Sequence, residues 1–508
     1  MRLIACGMAL AALLAVSGAA HAQDVTLTAR DGGLELSGTL MGFDGEFYRI
    51  DTTYGPLTVD AQGVICDGPG CPDLTAPRAT IRLAGEAEAG TRLLPPLVAA
   101  FAAARGLVMS ERDGALVLTD PKTAQELAAF SFAPATPARA AALLQAGGAE
   151  LVVAAWESGD FTPRTLALDA LVPVVAPDNP VSEISSADLA RALSGEVENW
   201  AEIGGPDMPL VLHALTPDSG LEAALSARLG RQVAADVTHD DLAALAVAVA
   251  ADPWALAVTG RASAGAAKPI LLTDRCGFPL LPTALAVKAE DYPLALPVYL
   301  LQPKRRLPLM AREFLEFLTY PQAQAAIAGA GFVDRAPERQ PMTADGLRLL
   351  NAIQGAGAET TLDDLKRLAQ VMDGADRVSF TFRFEDGSTT LDPHSRDNIA
   401  DLALLLEAGS FSGQTLYLAG FSDGQGDAAG NLELSEDRAA EVLAALKAAA
   451  PSVGADRLPQ VIGFGEALPM ACDETAVGRR LNRRVELWLR PDFARNPDPV
   501  TTDPAPGN

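Results

Sequence analysis

The chain has 508 residues, of which 49% are apolar and 20% charged, and its 65 acidic against 39 basic residues give a formal net charge of −26. A chain of this length can bury two or three hydrophobic cores. So acidic a balance argues against DNA, RNA or anionic lipid surfaces as partners, because binding to phosphate polymers rests on cationic contacts.

Residues 1–22 open with one positive charge at Arg2, continue through apolar and small residues, and end on Ala20-His21-Ala22. This is the pattern of a secretory signal peptide with an A-x-A cleavage site. The apolar run is shorter than the ~20 residues a spanning helix needs, and Cys6 lies ahead of it rather than behind it, which argues against lipid anchoring. Residues 242–257, the other long apolar run, are broken by Asp252 and Pro253, so no transmembrane segment is expected after signal cleavage. Export leaves four cysteines in an oxidising compartment. Cys66 and Cys71 flank a Gly- and Pro-containing turn, which predicts a disulfide between them; Cys276 and Cys472 either pair or stay as thiols.

Residues 23–76 read as short alternating strands (25–28, 34–36, 47–51 and 57–59) separated by Gly- and Asp-rich turns, a small β-unit stapled by Cys66 and Cys71. From 78 to 335 short apolar strands, such as 81–83, 151–153 and 171–175, alternate with Ala- and Leu-rich helices at 93–104 and 188–194, the latter capped by Ser185 or Ser186. That alternation predicts an α/β sandwich with a mainly parallel sheet. Residues 336–375 read as a linker with helices near 346–353 and 362–372, and 376–491 as a further α/β domain. The Pro- and Asp-rich residues 492–508 read as a disordered tail. The predicted fold class is thus α/β multidomain.

In the C-terminal domain Gly420-Phe421-Ser422-Asp423 is followed by Asn431, by Leu434-Ser435-Glu436-Asp437-Arg438-Ala439, by Gly463-Phe464-Gly465-Glu466 and by Gly478-Arg479-Arg480-Leu481-Asn482-Arg483-Arg484-Val485-Glu486. Asp423 falls where a strand ends in a turn, and Arg438 lies in the following helix. Fold closure can therefore place a carboxylate and a guanidinium in one groove, where a zwitterion would find a partner for each end. The motif set resembles the OmpA-like peptidoglycan-binding domain over its whole length. The resemblance implies that Asp423 and Arg438, supported by Asn431 and by one of Arg483 or Arg484, hold the diaminopimelate group of a peptidoglycan stem peptide. It also implies a place in the periplasm, associated with peptidoglycan or the outer membrane. The family usually carries Gly-His-Thr-Asp where this chain has Phe421 and Ser422. A plain salt bridge between Asp423 and Arg438 is the alternative.

Residues 168–180, 189–205 and 292–333, with Asn179-Pro180, Asn199-Trp200 and Gly331-Phe332-Val333, resemble the type II periplasmic solute-binding proteins of the phosphate-binding group. Such relatives hold a dehydrated oxyanion with hydroxyls, helix-start N–H groups and an arginine. Here the first loop reads Gly85-Glu86-Ala87-Glu88-Ala89-Gly90-Thr91, residues 154–158 contain no arginine, and Ser219 is followed by Gly220-Leu221. Two carboxylates oppose an anion by on the order of several kcal/mol. The solute candidates Glu86, Glu88, Thr91 and Ser219 therefore suit a cationic or zwitterionic solute better than phosphate. A platform that docks an envelope protein and takes no solute is the alternative, as is a solvated loop face for both glutamates. His213, His239 and His394 stand apart without metal-ligand spacing, and no nucleophile elbow, Walker loop or dinucleotide fingerprint occurs. The expectation is a binding protein, not an enzyme, without cofactor or metal.

Overall fold

The computed structural model describes residues 25–491 except 30–31, 44–46, 69, 72–78, 157–158, 306, 357–358, 386–387 and 389. The expected signal peptide and C-terminal tail lie outside the described residues. The chain divides into two compact units at residue 78.

The first unit is a five-stranded antiparallel sheet in which Gly55–Asp60, Phe47–Thr52, Glu35–Phe43, Val25–Ala29 and Val64–Asp67 lie side by side in that order. Alternate residues point to one face, so Val25, Leu27, Tyr48, Ile50 and Val64 form its small core. Cys66 and Cys71 are bonded, with Cα atoms 5.8 Å apart.

The second unit opens with strand Ala79–Gly85 and helix Ala87–Ala104. The helix begins six residues before the expected start at 93, because Glu86 caps it and its first turn, Ala87 to Gly90, lacks the large apolar residues that betray a helical stripe. Leu93, Leu94, Leu97, Val98 and Phe101 then follow at helical spacing and are buried. Helix Ser186–Leu193 is capped by Ser185. The sheet of this region has eleven strands and is mixed, not mainly parallel. The difference lies in two long strands, Thr162–Val175 and Ala295–Gln302, which pair antiparallel from Thr162 opposite Gln302 to Ala170 opposite Ala295. Thr162–Val175 runs on to pair antiparallel with Ala255–Gly260. It thereby joins two separately packed cores, one around Phe101, Phe130 and Phe314 and one around Trp200, Leu245 and Leu256.

The C-terminal sheet has the strand order Arg339–Pro341, Asp376–Phe382, Arg484–Pro491, Gln414–Phe421, Gln460–Gly463. Period-two alternation sorts its side chains cleanly. Leu416, Leu418, Val485 and Leu487 face helices Pro393–Glu407 and Ala428–Ala449, whereas Tyr417, Ala419, Phe421 and Trp488 pack on Ala352, Leu368 and Met372 of helices Gly346–Gly355 and Leu362–Met372. Residues 336–375, read from sequence as a linker, thus supply an edge strand and cover one face of this sheet.

Between the solute-binding-like region and the C-terminal sheet lies a charged seam. Asp291 is bridged by Arg377 at 2.6 Å and Arg383 at 3.2 Å, Arg335 meets Asp401 at 2.5 Å, and Asp397 accepts the Thr165 N–H at 2.6 Å. Cys276 and Cys472, left open by the sequence, form a disulfide across the same seam.

Candidate functional site

Strand Gln414–Phe421 delivers Ser422 and Asp423 to a turn, and helix Ala428–Ala449 starts just beyond it under the cap of Asp427, which accepts the Gly430 N–H at 2.9 Å. The helix returns so closely over the strand end that a Cβ on Gly420 would stand 1.8 Å from the Ser435 carbonyl oxygen. Arg438, three residues beyond Ser435, is thereby brought near Asp423. The turn itself is held from the side: the Gly424 N–H donates to Asp473 at 2.7 Å, and Asn482 Nδ2 donates to the same carboxylate at 2.7 Å.

Asp423 is bridged by Arg483 at 2.8 Å, not by Arg438. Arg438 Nη1 is buried without a hydrogen-bond partner among the described residues. Burial lowers the Arg438 pKa from its ordinary value, the neighbouring Arg483 lowers it further, and Asp423 opposes the shift. Both arginines line a cavity of about 530 Å³ whose wall also includes Arg383, Arg480, Glu385 and Asp437. Asp423 is not on that wall and meets the cavity only through Arg483. The cavity therefore offers the unbonded Arg438 Nη1 for a carboxylate and a carboxylate edge for an ammonium group.

Two of the expected supporting residues stand elsewhere. Asn431, 4% exposed, donates from Nδ2 to Glu466 at 2.5 Å and fixes the turn instead of facing the cavity. Arg484 is fully buried on the opposite face of the sheet. It stacks over Phe421 with its guanidinium 4.3 Å from the ring centre and pairs with Glu486 at 2.7 Å. Of the two candidates Arg483 and Arg484, only Arg483 reaches the cavity, because alternation along the strand turns successive side chains to opposite faces. Burial pushes the Arg484 guanidinium down to about 10. Burial also raises the Glu486 carboxyl, but Arg348, Arg377 and Arg484 together outweigh it and hold that carboxyl below its usual range.

In the solute-binding-like region the four candidate residues do not form one open site. Glu86, 7% exposed, caps helix Ala87–Ala104 with its own carboxylate, accepting the Ala89 N–H at 2.7 Å. Burial raises its pKa. Trp156 and Glu86 both pack against the start of helix Gly220–Leu229: a Cβ on Gly220 would stand 2.7 Å from the Trp156 ring and 3.5 Å from Glu86 Cγ. Glu88 is committed to Arg92 at 3.0 Å and to the Ser263 hydroxyl at 2.7 Å. Arg92 in turn donates to the Ala262 and Ala330 carbonyls. Thr91 is exposed, and Ser219 stands at the helix start without a side-chain cap bond. The glutamates are thus internally satisfied, contrary to the expectation that they face a cationic solute.

Sequence reading also missed two groupings. His213 Nδ1 and His239 Nε2 lie 3.0 Å apart, although 26 residues separate them, so they are not isolated. Arg480 stands within the quoted C-terminal motif, where its doubled-arginine context gave no hint that it borders a cavity.

Residues 383–483 match the model of the OmpA family, and residues 144–322 match that of a PBP superfamily domain. The chain therefore carries an OmpA domain at its C-terminal end and a PBP-like domain in its middle. Among curated proteins it is 33% identical over 108 residues to "Probable lipoprotein YiaD" of Escherichia coli (strain K12), which covers 21% of this chain and 47% of that protein. It is 37% identical over 109 residues to "Outer membrane protein A" of Bordetella avium, covering 21% and 52% respectively. The chain spans about half the length of these two relatives. Similar solved structures include an ABC-type phosphate transport receptor from Vibrio cholerae, at 18% identity and a TM-score of 0.39, covering 50% of this chain and 99% of that one. Another is a putative phosphate ABC transporter substrate-binding protein from Clostridium perfringens, at 15% identity and a TM-score of 0.41, again covering 50% and 99%.

Proposed function

We propose that the protein is a periplasmic component of the cell envelope, held non-covalently to peptidoglycan by the cavity around Arg438 and Arg483. The observation that carries this reading is the unbonded, buried Nη1 of Arg438 on the wall of that cavity. A buried donor without a partner costs about 1–3 kcal/mol, and a bound carboxylate removes that cost. A diaminopimelate side group presents a carboxylate and an ammonium on one carbon. The carboxylate goes to Arg438, and the ammonium to Asp423, when Arg483 gives way, or to the acidic edge at Asp437. The OmpA-family match supports the same ligand class. Calorimetric titration with meso-diaminopimelate tests it: wild type binds, Arg438→Gln weakens binding at least tenfold, and absence of binding to wild type refutes the assignment.

A second reading applies to the middle domain, where the match to a PBP superfamily domain supports descent from a solute binder. Glu86 supplies its own carboxylate to a helix start, the position at which an incoming anion would be bound. Trp156 fills the space at the Gly220 helix. We therefore read this domain as closed to phosphate and suited to docking an envelope partner.

A further inference from the structure

The cavity at Arg438 is lined by described residues of the C-terminal domain alone, but it has a neighbour. A second cavity of about 390 Å³ lies on the seam with the middle domain and shares Arg383, Arg480 and Arg483 with the first. Its far wall comes from the middle domain, through Arg228 at the end of helix Gly220–Leu229 and through Glu290. Most of the cations here are already engaged. Arg383 donates to the carbonyls of Arg480, Leu481 and Glu290, Arg479 to that of Asp473, and Arg228 to that of Ala295. Arg480 is less committed: its side chain is exposed on the wall of both cavities, its guanidinium makes no hydrogen bond or ion pair among the described residues, and it acts on the Glu290 carboxylate only at longer range, as one of the cations that hold that group below its ordinary pKa. Glu290 is held in the left-handed backbone region at φ 52°. Among the described residues, the carboxylate of Glu290 is the one acidic group on the seam cavity's wall, against five arginines.

We propose that Arg480 is the anchor for a second carboxylate of the ligand, so that the two cavities together take a peptide whose chain ends in a free carboxylate beyond the zwitterionic group. The middle domain would then complete the binding site through Arg228, and selectivity would favour carboxylate-terminated stem peptides over those whose terminus is amidated or cross-linked. This rests on the diaminopimelate reading of the first cavity. Two features support it: the cavities share Arg383, Arg480 and Arg483 on their walls, and the seam cavity sets five arginines against the one described carboxylate, that of Glu290, a cationic surplus that suits an anion.

The test uses the full protein with three probes: meso-diaminopimelate, the tetrapeptide L-Ala-γ-D-Glu-meso-diaminopimelate-D-Ala, and the same tetrapeptide with its terminal carboxylate amidated. Loss of a charge-assisted hydrogen bond corresponds to a weakening of about tenfold or more. Arg480→Gln is expected to weaken the free-acid tetrapeptide by that factor, to leave diaminopimelate within about twofold, and to bind the amidated tetrapeptide no worse than wild type does. Arg228→Gln is expected to weaken the free acid in the same selective way. Equal weakening of all three probes, or no effect on the free acid, overturns the second anchor while wild-type binding of diaminopimelate keeps the first reading intact. Failure of wild type to bind diaminopimelate at all overturns the first reading, and the second falls with it.

Discussion

Asp291 stands at the centre of the seam between the middle domain and the C-terminal sheet, and replacing it by Asn is expected to destabilise the protein by about 3 kcal/mol. Arg377, 1% exposed, lies 2.6 Å from this carboxylate, and Arg383, 3% exposed, lies 3.2 Å away. Removing one partner of a buried ion pair costs about 3–5 kcal/mol, because the other charge is left uncompensated in a poorly polarisable site. The lower end applies here. Arg377 keeps Glu486 at 3.4 Å, and Arg383 keeps carbonyl acceptors at 2.9 Å on Arg480 and Leu481. Asn preserves shape and one acceptor, so the loss reports charge and not a cavity. Guanidinium-induced unfolding, followed by tryptophan fluorescence, to which the buried Trp200 and Trp488 both contribute, measures it. A loss below about 1 kcal/mol for Asp291→Asn would refute the view that this ion cluster holds the seam.

Three further outcomes follow from the same structure. Glu222, 8% exposed, is pushed up to about 7 by burial, with Oε1 unbonded. Its folded pKa exceeds its unfolded one, so the folded state binds the proton more tightly; stability falls as pH rises from about 4.5 to 7, and Glu222→Gln should remove about 3 kcal/mol of that fall, read from denaturation midpoints at pH 5 and 8. Replacing both Cys276 and Cys472 by Ser opens a bridge between residues 196 apart and should cost about 2–5 kcal/mol, measured by the shift in unfolding midpoint against wild type. Inorganic phosphate at millimolar concentration should leave the thermal midpoint of wild type unchanged, because Glu86 already fills the helix start; a rise of several degrees would contradict the closed cleft.

How far these features could be read from the sequence depended on their range. The end of a strand just ahead of Asp423 is a local signal, and it was legible in the sequence; the core face shown by Leu416, Leu418, Val485 and Leu487 was not read from it. Local signals also brought Cys66 to Cys71 and named Asp423, Arg438 and Arg483. They could not choose between Arg483 and Arg484, because that choice depends on which sheet face the strand presents. Nor could they pair Cys276 with Cys472, or see that helices Gly346–Gly355 and Leu362–Met372 pack on Trp488. The fate of Glu86 was hidden for the same reason. A glutamate ahead of a helix reads as a ligand or a cap with equal ease until the neighbouring Trp156 and Gly220 are placed around it.

Co-sedimentation with purified diaminopimelate-type peptidoglycan tests the central claim most directly, using wild type beside Asp423→Ala and Arg438→Ala variants verified as folded by circular dichroism. Wild type is expected in the pellet and both variants in the supernatant. Folded wild type left in the supernatant, or an Arg438→Ala variant that pellets as fully as wild type, would contradict the assignment of this cavity as the wall-binding site.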